Sequence, residues 1–577
     1  MTLDPELYPT IVELLFERAA QHPERPALTF LTDGDTPTHA YDYAELHARA
    51  RACAALLSER AAPGDRALLI YPTGPAYVVA FLGCLYAGLI AVPAYPPASR
   101  DPRHWSRLAS IIEDASPRLL LTESTLAAPL AAAREAMPGL GAIQLVVTDG
   151  APAADAEAWR WARPSPDSLA MLQYTSGSTT SPKGVMLSHS NLMAGERAIS
   201  AAFSMNADDV VVSWLPLFHD MGLIGTLLQP LYYGIPGILL SPQHFMERPE
   251  RWLAAMARYR GTVSGGPDFA YRLCTQRVED PAQLALDLSS WRLAFCGAEP
   301  IHEQTLVAFA NKFSSVGFDA KALYPCYGLA ESTLLVTGGV RGGGARSVRV
   351  DAEALSEGRV QPSDAGRPLV CCGGAQPEHD VIVAHPETGE ALDEGKVGEI
   401  RVAGPSVARG YWNNSQASEE SFVPRRGRTW LRTGDLGFLH QGQLVVTGRQ
   451  KDLIIVRGHN LYPQDIERSV EERAEVVRKG RTAAFGLELN GEECIAVVAE
   501  VSPRMQKLVD LNALCQRISE TVAMLHGEPA RLVLLLEPGA VPITSSGKLM
   551  RSACRRAWEK KQLPTLAVYE LPRRGAE

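Results

Sequence analysis

Two long segments without charge constrain the fold of this chain more than any other feature. No charged side chain occurs between Arg66 and Arg100, and the segment from Met221 to His244 also carries no formal charge. Both exceed the length of about 20 residues that a helix needs to span a bilayer. Prolines and glycines interrupt both, however, and a bilayer tolerates such breaks only where other parts of the protein satisfy the backbone. We therefore expect buried core segments and no transmembrane segment, with a membrane span as the alternative.

The order of strand-like and helix-like patterns indicates an α/β fold built around parallel sheets. After Arg66 the sequence reads as strand ALLIY, helix AYVVAFLGCLYAG and strand IAVPAY, and similar alternation continues to about residue 340. Between 380 and 447 the pattern changes to short strands and turns, which predicts an antiparallel meander or a small β-barrel. We expect a large N-terminal domain at 1–450 and a small mobile α+β C-terminal domain at 451–577.

The composition excludes several classes of protein. The 577 residues exceed one domain core, and the fractions of 46% hydrophobic and 21% charged residues are those of a globular protein. The net charge of −9 argues against nucleic acid as a partner, because duplex binding needs clustered excess Lys and Arg. The ten cysteines contain no CxxC pair, which argues against a zinc site or a disulfide framework. The N-terminus is charged throughout and lacks the apolar core of a secretory signal, so we expect a cytoplasmic protein.

The loop that follows the apolar run LAMLQ has the composition of a phosphate-binding loop. The string Tyr174-TSGSTTSPKG-Val185 contains six Ser/Thr hydroxyls and ends near Lys183. Backbone N–H groups, hydroxyls and one ammonium can together surround phosphate oxygens. The string is not a Walker A loop, because Pro182 stands where that motif has a glycine and Lys183 precedes a glycine. By itself, such a loop is more often a flexible turn than a binding site.

Seven motifs, in order along the chain, resemble those of the adenylate-forming superfamily, which includes acyl-CoA synthetases, luciferases and the adenylation domains of peptide synthetases. The loop above resembles the superfamily's phosphate loop. The other six are WLPLFHDMG at 214–222, GAEP at 297–300, YGLAEST at 327–333, RTGDLG at 432–437, GRQKDLIIVRGHNLYP at 448–463 and PITSSGKLMR at 542–551. The resemblance covers nearly the whole chain. It implies an enzyme that uses ATP and Mg²⁺ to convert a carboxylic acid into an acyl-adenylate.

The resemblance also implies roles for residues at the matching positions. Glu331, with Thr175, would hold Mg²⁺ between phosphate oxygens, and carboxylate and hydroxyl oxygens suit this hard cation. Tyr327 would stack on adenine, Asp435 would accept both ribose hydroxyls, and Arg449 would make a second ribose or phosphate contact. The other implied nucleotide-binding residues are Ser176, Gly177, Ser178, Thr179 and Lys183 of the phosphate loop, Gly297, Ala298 and Glu299 at the edge of the base, and Gly328.

Lys548, in the string SSGKL, resembles the catalytic lysine of the superfamily. The C-terminal domain would carry it to both the substrate carboxylate and the α-phosphate. An ammonium placed where negative charge develops typically contributes about two to three orders of magnitude in rate. Lys451 falls where the superfamily has its hinge, so we expect the C-terminal domain to swing about it. The alternative interpretation of Lys548 is a surface lysine in a Ser/Gly turn.

The segment around His219 favours a fatty acid over an amino acid as the substrate. Amino-acid-activating relatives bind the substrate amine with an Asp, usually in a Phe-Asp pair, whereas here the string is Phe218-His219-Asp220. His219 takes the place of that Asp, which favours a plain acid with an apolar tail and makes His219 a candidate catalytic residue. The candidates for the wall of an acyl pocket are Trp214, Phe218, Met221 and Gly222. The same apolar stretch is equally consistent with a stripe of the core.

Within the superfamily, the chain resembles fatty acyl-AMP ligases more closely than acyl-CoA ligases. Strings such as LYAGLIAVPAYPP carry this resemblance, together with an extra segment at about 350–372. In the resembling group, such an insertion is thought to hold the small domain away from the pose in which CoA would attack. The resemblance therefore implies transfer of the acyl group to the phosphopantetheine arm of a separate holo acyl carrier protein, in polyketide, nonribosomal peptide or lipid biosynthesis. A tolerated surface loop is the alternative interpretation of the segment.

Other interpretations remain open from the sequence. A medium- or long-chain acyl-CoA ligase would use the same motifs, and an inactive nucleotide-binding scaffold is a third candidate. Retention of Glu331, Asp435, Arg449 and Lys548 argues against the scaffold, which has no need of all four. Near the C-terminus, one basic cluster is either a solvated helix face or a docking patch for an acidic partner. The cluster consists of Arg551, Arg555, Arg556, Lys560 and Lys561.

Overall fold

The structure is a computed structural model that describes most of the chain. The described residues are 3–96, 102–136, 138–150, 156–157, 159–161, 163–175, 182–425, 427–457, 459–489, 492–544 and 548–571. One large hydrophobic core extends over the N-terminal part, and separate cores lie in the C-terminal part. The mixed α/β architecture, with a large parallel-sheet domain and a smaller C-terminal domain, confirms the predicted fold class.

The first charge-free segment lies in the core as a strand, a helix and a strand. These elements are Arg66–Ile70, Pro75–Tyr86 and Ile90–Ala94, and the two strands pair in parallel. Pro75 suits the first turn of the helix because its ring fixes φ where no N–H is needed. Within the described part of the chain, no helix combines the length and the apolar character required to cross a membrane.

Two mostly parallel sheets form the centre of the N-terminal part. Sheet A has nine strands, in the spatial order Gly374–Ala375, Leu335–Gly338, Leu323–Gly328, Leu293–Cys296, Val263–Gly266, Val211–Ser213, Gly237–Leu240, Pro26–Leu31 and His39–Asp42. Sheet B has six strands, in the order Gln144–Val147, Leu119–Thr122, Arg66–Ile70, Ile90–Ala94, Leu169–Tyr174 and Gly184–Ser188. Two parallel strands of sheet A end at Cys296 and Gly328, so the loops that follow them leave the same edge of the sheet.

Helices cover these sheets and the C-terminal sheet. The α-helices are Ile11–Gln21, Tyr43–Ser58, Pro75–Tyr86, Pro102–Ala115, Ser124–Ala136, Pro138–Gly141, His189–Ala202, Asp220–Gly222, Gln229–Tyr233, Pro242–Glu247, Glu250–Arg258, Asp268–Arg277, Glu303–Phe313, Ala352–Ser356, Ser415–Ser421, Pro463–Arg473, Pro503–Gln506, Leu511–His526 and Arg551–Glu559. Short 3₁₀ turns lie at Pro5–Leu7, Pro281–Leu284, Ser314–Val316, Ala320–Ala322, Ala330–Ser332 and Gln450–Asp452.

The second charge-free segment contains a π-helix. The short helix Asp220–Gly222 continues as the π-helix Leu223–Leu228 and then as Gln229–Tyr233. All six π-helical residues are buried. Strand Gly237–Leu240 of sheet A follows. The segment is therefore core, as the sequence predicted, although its helical type was not predicted.

Residues 380–449 form an antiparallel sheet, and the predicted small β-barrel is not confirmed. Sheet C contains Asp380–Ala384, Gly398–Ala403, Arg428–His440 and Phe422–Arg425 in that order, and Gln443–Arg449 pairs with Arg428–His440. The pairing is antiparallel throughout the described strands. The antiparallel strands expected here are thus confirmed, but Gly398–Ala403 pairs with Arg428–His440 rather than with the next strand in sequence, so the order is not a simple meander, and no closure into a barrel is seen among these pairings.

The segment predicted as an insertion at about 350–372 is built around a two-stranded ladder. Strands Ser347–Val350 and Arg367–Val370 pair antiparallel, and the helix Ala352–Ser356 lies between them in sequence. Buried side chains of this unit pack on sheet C, where they contact Phe438 and Val445. We refer to residues 347–370 as the inserted hairpin.

The C-terminal domain has its own sheet and cores. Sheet D consists of Val477–Leu489, Glu492–Val501, Ala530–Leu536 and Thr565–Glu570 in that order. A small two-stranded ladder, Ile454–Val456 with His459–Leu461, precedes it. Two hydrophobic clusters cover the two faces of sheet D. The domain is therefore α+β, as the sequence predicted.

Acid should destabilise this fold, because burial lowers the pKa of five described histidines: His47, His189, His219, His379 and His526. The pKa values of His47, His189 and His526 fall from 6.5 to about 4, and that of His219 falls to about 3. The unfolded chain binds protons at these groups below about pH 6.5, whereas the folded chain does not. The free energy of unfolding should therefore fall as the pH drops from about 6.5 towards 4, by up to about 1.4 kcal/mol per pH unit for each histidine.

Chemical denaturation at neutral and mildly acidic pH tests this expectation. His189 is 1% exposed, and His189→Gln removes one of the five groups, so the stability of this variant should decline less steeply with acid than that of the native protein. The exposed His385 provides the control, since His385→Gln should leave the slope unchanged. Equal slopes in all three proteins would contradict the assignment.

Candidate active site

The turn that carries Lys548 is closed by two hydrogen bonds to Thr544. The N–H of Lys548 donates to Thr544 Oγ1 at 3.0 Å, and the N–H of Thr544 donates to the carbonyl of Lys548 at 2.8 Å. Arg551, three residues later, donates to Asp452 at 3.0 Å and to Glu467 at 2.6 and 2.7 Å. These contacts fix the lysine turn to the segment that follows Lys451.

The charge of Lys548 interacts with those of three carboxylates from the N-terminal part. Burial lowers the pKa of its ammonium, while the carboxylates of Asp220, Glu299 and Asp435 raise it and Arg449 lowers it further. Burial in turn raises the pKa of each of the three carboxyl groups, and Lys548 opposes that rise. The C-terminal domain therefore contributes a cation whose charge interacts with desolvated carboxyl groups, and the catalytic role of Lys548 stays a prediction.

Tyr411 lies between Glu331 and Lys183. Its hydroxyl donates to Glu331 Oε1 at 2.9 Å, and Lys183 Nζ lies 4.5 Å from the centroid of its ring. Burial raises the pKa of Glu331, and the Tyr411 hydroxyl and Arg449 oppose this rise. Burial lowers the pKa of Lys183, with Lys451 acting in the same direction. The predicted metal ligand and the predicted phosphate-loop lysine thus share one aromatic neighbour, which the sequence did not indicate.

Asp435 receives one hydrogen bond and one ion pair within the site. The hydroxyl of Tyr327 donates to Asp435 Oδ2 at 2.7 Å, and Arg449 Nε lies 3.4 Å from Asp435 Oδ1. The carboxylate raises the pKa of Arg449. The three residues assigned to adenine, ribose and phosphate therefore form one group, and the Tyr327–Asp435 hydrogen bond was not expected.

The segments at 297–299 and 327–328 approach each other closely. A Cβ on Gly297 would lie 3.0 Å from the carbonyl oxygen of Cys326, and one on Gly328 would lie 1.9 Å from that of Leu334. Only glycine fits at position 328. Ala298 has a φ of +67°, which favours glycine, and Glu299 Oε1 accepts the N–H of Phe269 at 2.7 Å. One oxygen of Glu299 is therefore engaged with a helix N-terminus rather than left for a ligand.

The residues around His219 divide between site and core. His219 and Asp220 are partly buried near Lys548, and the Lys548 charge contributes to the low pKa of His219. Phe218 packs edge-on against Tyr95 at 5.1 Å, and its carbonyl accepts the side-chain amide of Gln173 at 3.1 Å. Met221 is partly buried against the large core.

Two of the predicted acyl-pocket residues lie within the core. Trp214 is 3% exposed and stacks on Phe245 at 3.9 Å. A Cβ on Gly222 would lie 2.2 Å from the carbonyl oxygen of Pro216, so this glycine permits the close turn before the π-helix. Both residues support the segment that carries His219, and their part in an acyl pocket stays a prediction.

Most of the predicted phosphate loop falls outside the described residues. Ser176, Gly177, Ser178 and Thr179 are in this group. Thr175 is described, and its N–H donates to the carbonyl of Lys183 at 3.1 Å, so the loop begins and ends at neighbouring points. Within the described chain, no group of three or more His, Cys, Asp or Glu side chains has the arrangement of a protein-only metal site. A lone carboxylate and a hydroxyl fit Mg²⁺, which takes few protein ligands and completes its shell with phosphates and water.

The sequence did not single out every residue that the site brings together. Asp220 was regarded as displaced from the relevant position, yet it is the carboxylate with the largest effect on Lys548. Tyr411 carried no motif in our reading, although it follows a glycine in the string ARGYWNN. Gln173 is a polar residue at the end of the apolar run before the phosphate loop, which was the available sequence signal, and its side chain is 3% exposed in the structure.

Comparison with known proteins identifies relatives over nearly the full chain. The sequence model of the AMP-binding enzyme family matches residues 15–412. The medium-chain-fatty-acid–[acyl-carrier-protein] ligase JamA of Moorena producens is 41% identical over 560 residues, which cover 95% of each chain. The long-chain-fatty-acid–AMP ligase FadD26 of Mycobacterium marinum is 36% identical, over 94% of this chain and 96% of its own. A fatty acyl-adenylate ligase from L. pneumophila, solved with acyl adenylate and pyrophosphate, is 37% identical with a TM-score of 0.76 over 99% of each chain.

Proposed function

The chain belongs to the AMP-binding, adenylate-forming enzymes, and on this premise we propose that it is a fatty acyl-AMP ligase. It converts a fatty acid and ATP into acyl-adenylate and pyrophosphate, and it then transfers the acyl group to the thiol of a holo acyl carrier protein. The relatives named as fatty-acid–[acyl-carrier-protein] ligase and fatty-acid–AMP ligase support both steps.

The observation that carries this proposal is the position of Lys548. The charge of its ammonium interacts with those of Asp220, Glu299 and Asp435 of the N-terminal part, which supports a role at the reacting groups. Adenylation brings an anionic carboxylate to the α-phosphate of ATP, so its main requirements are charge neutralisation and in-line positioning. As a carboxylate oxygen bonds to the α-phosphorus, the bond to the pyrophosphate oxygen breaks. Lys548 would neutralise charge on both reacting groups during this exchange.

Mg²⁺ is the metal we propose for the reaction. Glu331 and Thr175 would hold it, and bound to ATP it would neutralise phosphate charge. Lys183 would add a second positive charge near the same phosphates. The hydrogen bond from Tyr411 favours the ionised form of Glu331 that metal binding needs.

Asp435 and Arg449 would bind the ribose, with Tyr327 on the adenine. We expect Asp435→Ala to raise the Kd for ATP by about 10- to 100-fold, because a charged acceptor of hydrogen bonds is typically worth about 1.5–3 kcal/mol. Asp435 is 9% exposed, and its loss leaves Arg449 without its partner. Calorimetric titration with ATP measures the effect.

The exposed Asp393 is the matched control for that substitution. Its side chain is 95% exposed and lies 4.0 Å from Lys396. Asp393→Ala should leave the Kd for ATP unchanged. An Asp435→Ala protein that folds and binds ATP with native affinity would remove Asp435 from the nucleotide site.

We propose a fatty acid as the acyl substrate. Burial and the nearby cations lower the pKa of His219 to about 3, so its ring is neutral at physiological pH. A neutral ring is compatible with the apolar start of an acyl chain, whereas an amine would need an anion at this point. The curated relatives named for medium-chain and long-chain fatty acids support this choice.

The inserted hairpin is the feature we connect with choice of acceptor. Arg367 forms an ion pair with Asp465 of the C-terminal domain and lies 5.4 Å from the ring centroid of Tyr462. Tyr462 packs into the cluster that the hairpin forms with sheet C. The hairpin thus contacts the C-terminal domain while Lys548 is in the site. We propose that these contacts restrain the movement that CoA would need.

We also propose that the two domains divide at about residue 450. Lys451 lies in the exposed 3₁₀ turn Gln450–Asp452, directly after the last strand of sheet C. A short exposed turn between two separate cores is a suitable hinge. The C-terminal domain, 451–577, would swing about it between adenylation and transfer.

Exchange of labelled pyrophosphate into ATP tests the adenylation step. We expect exchange that depends on Mg²⁺ and on a fatty acid such as dodecanoate, and none with leucine or phenylalanine in its place. Exchange driven by an amino acid, or no exchange with any fatty acid from medium to long chain, would contradict the proposed function.

A further inference from the structure

One short backbone segment joins the phosphate loop to the turn that carries Glu331. The N–H of Ala408 donates to the carbonyl of Glu331 at 2.8 Å. The N–H of Trp412 donates to the carbonyl of Gly184 at 2.7 Å, and that of Met186 donates to the carbonyl of Gly410 at 3.0 Å. Residues 408–412 therefore lie between the strand that begins directly after Lys183 and the turn at Glu331. We call this segment the bridging segment.

Tyr411 is the side chain of the bridging segment that enters the site. It is 7% exposed, and the ring of Phe422 packs edge-on against it at 5.4 Å. Its N–H donates to Ser418 Oγ at 2.9 Å. Backbone and ring are thus both fixed, so the position of the hydroxyl is determined by the fold rather than by a ligand.

The hydroxyl and the face of the same ring act on two different groups. The hydroxyl donates to Glu331 Oε1 at 2.9 Å. The ring face lies 4.5 Å from Lys183 Nζ. The aromatic face is therefore a close contact that can orient this ammonium.

We infer that Tyr411 is a positioning residue that sets Glu331 and Lys183 in one fixed relation. Its hydroxyl orients the carboxylate that would bind Mg²⁺, and its ring orients the ammonium that would bind phosphate. The inference rests on the proposed function for the identity of the ligand. It goes beyond that function, because Tyr411 touches neither metal nor nucleotide in this role.

Two substitutions separate the hydroxyl from the ring. Tyr411→Phe keeps the ring under Lys183 and removes the hydrogen bond to Glu331, whereas Tyr411→Leu removes both. Calorimetric titration with ATP, in excess Mg²⁺ and again in EDTA, reports binding without relying on turnover. The strengthening of ATP binding by Mg²⁺ should fall about tenfold in Tyr411→Phe, with the affinity in EDTA unchanged. In Tyr411→Leu, both the strengthening of ATP binding by Mg²⁺ and the affinity for ATP in EDTA should fall.

Tyr327→Phe is the matched control within the same site. It also removes one buried hydroxyl that donates to a carboxylate, here Asp435 at 2.7 Å. We expect it to weaken ATP binding equally with Mg²⁺ and with EDTA. The contrast between the two tyrosines is a result that general loosening of the site would not produce.

The results test the role of Tyr411 independently of the proposed function. A native Mg²⁺ effect in Tyr411→Phe, or equal losses with Mg²⁺ and EDTA in that variant, would overturn the role of the hydroxyl. If Tyr411→Leu does not fold, Tyr411→Phe against Tyr327→Phe still decides it. Failure of the native protein to exchange pyrophosphate with any fatty acid would instead reject the proposed function, and the binding titrations would still test Tyr411.

Discussion

Replacement of Lys548 by alanine should lower the rate of fatty-acid-dependent pyrophosphate exchange by about 100- to 1000-fold. The ammonium is the cation of the C-terminal domain whose charge interacts with the carboxylates Asp220, Glu299 and Asp435. Its removal takes away the cation from the point where the carboxylate and the α-phosphate meet. Because burial disfavours the charged form of this lysine, its loss should not lower the free energy of unfolding appreciably.

Lys560→Ala is the control for the loss of a lysine from the same domain. Lys560 is exposed at the end of the helix Arg551–Glu559. It should retain native exchange, and both variants should unfold at the native temperature. Full exchange activity in a folded Lys548→Ala protein would contradict the assigned role.

Release of the inserted hairpin should make CoA an acceptor. In the antiparallel ladder Val350 pairs with Arg367, so residues 351–366 can be replaced by an Asn-Gly turn without breaking the pairing. Combined with Arg367→Ala, this change removes the helix Ala352–Ser356 and the ion pair to Asp465. We expect adenylation to continue and acyl-CoA to form where the native protein forms none. Mass spectrometry of the products measures this.

A second variant distinguishes the effect of losing the Arg367–Asp465 ion pair from the effect of shortening the hairpin. Arg349 lies on the opposite strand and pairs with Glu303 of the N-terminal part at 3.3 Å, not with the C-terminal domain. The protein with the same turn replacement and Arg349→Ala keeps Arg367. It should therefore form less acyl-CoA than the shortened Arg367→Ala protein. A shortened Arg367→Ala protein that adenylates normally and still refuses CoA would remove the hairpin from the account of acceptor choice.

The local patterns predicted most elements because their signals were strong and short-range. The pattern IVELLFERAAQ predicts a helix over 11–21, and the helix Ile11–Gln21 has these bounds, with Thr10 accepting the N–H of Glu13 at 3.2 Å as its cap. The pattern PQDIERSVEERAEVV predicts a helix from residue 463 to 477, but the helix that starts at Pro463 ends at Arg473. Val477 instead begins a strand of sheet D, because pairing with a distant strand outweighs local helix propensity.

The contacts within the site were less accessible from the sequence. The resemblance supplied Glu331, Asp435 and Lys548 residue by residue, but nothing in it pointed to Tyr411, which lies 80 positions from Glu331 in the chain. The π-helix Leu223–Leu228 was equally hidden, since a charge-free run has no polar face from which to read a helical period. Such features depend on packing between distant segments.

In the structure, part of the basic cluster near the C-terminus forms ion pairs within its own domain. Arg551 is engaged in ion pairs with Asp452 and Glu467, and Arg555 pairs with Glu559. Two of the five cations are therefore neutralised within the domain. A charge count along the sequence could not distinguish these internal partners from a surface available to an acidic protein.

Product analysis of a single incubation tests the central claim most directly. The protein is incubated with ATP, Mg²⁺ and dodecanoate, and either CoA or a holo acyl carrier protein is added in separate reactions. The account predicts dodecanoyl-AMP and pyrophosphate without an acceptor, the dodecanoyl thioester of the carrier protein in one reaction, and no dodecanoyl-CoA in the other. Efficient formation of dodecanoyl-CoA by the native protein, with no transfer to any holo carrier protein, would contradict it.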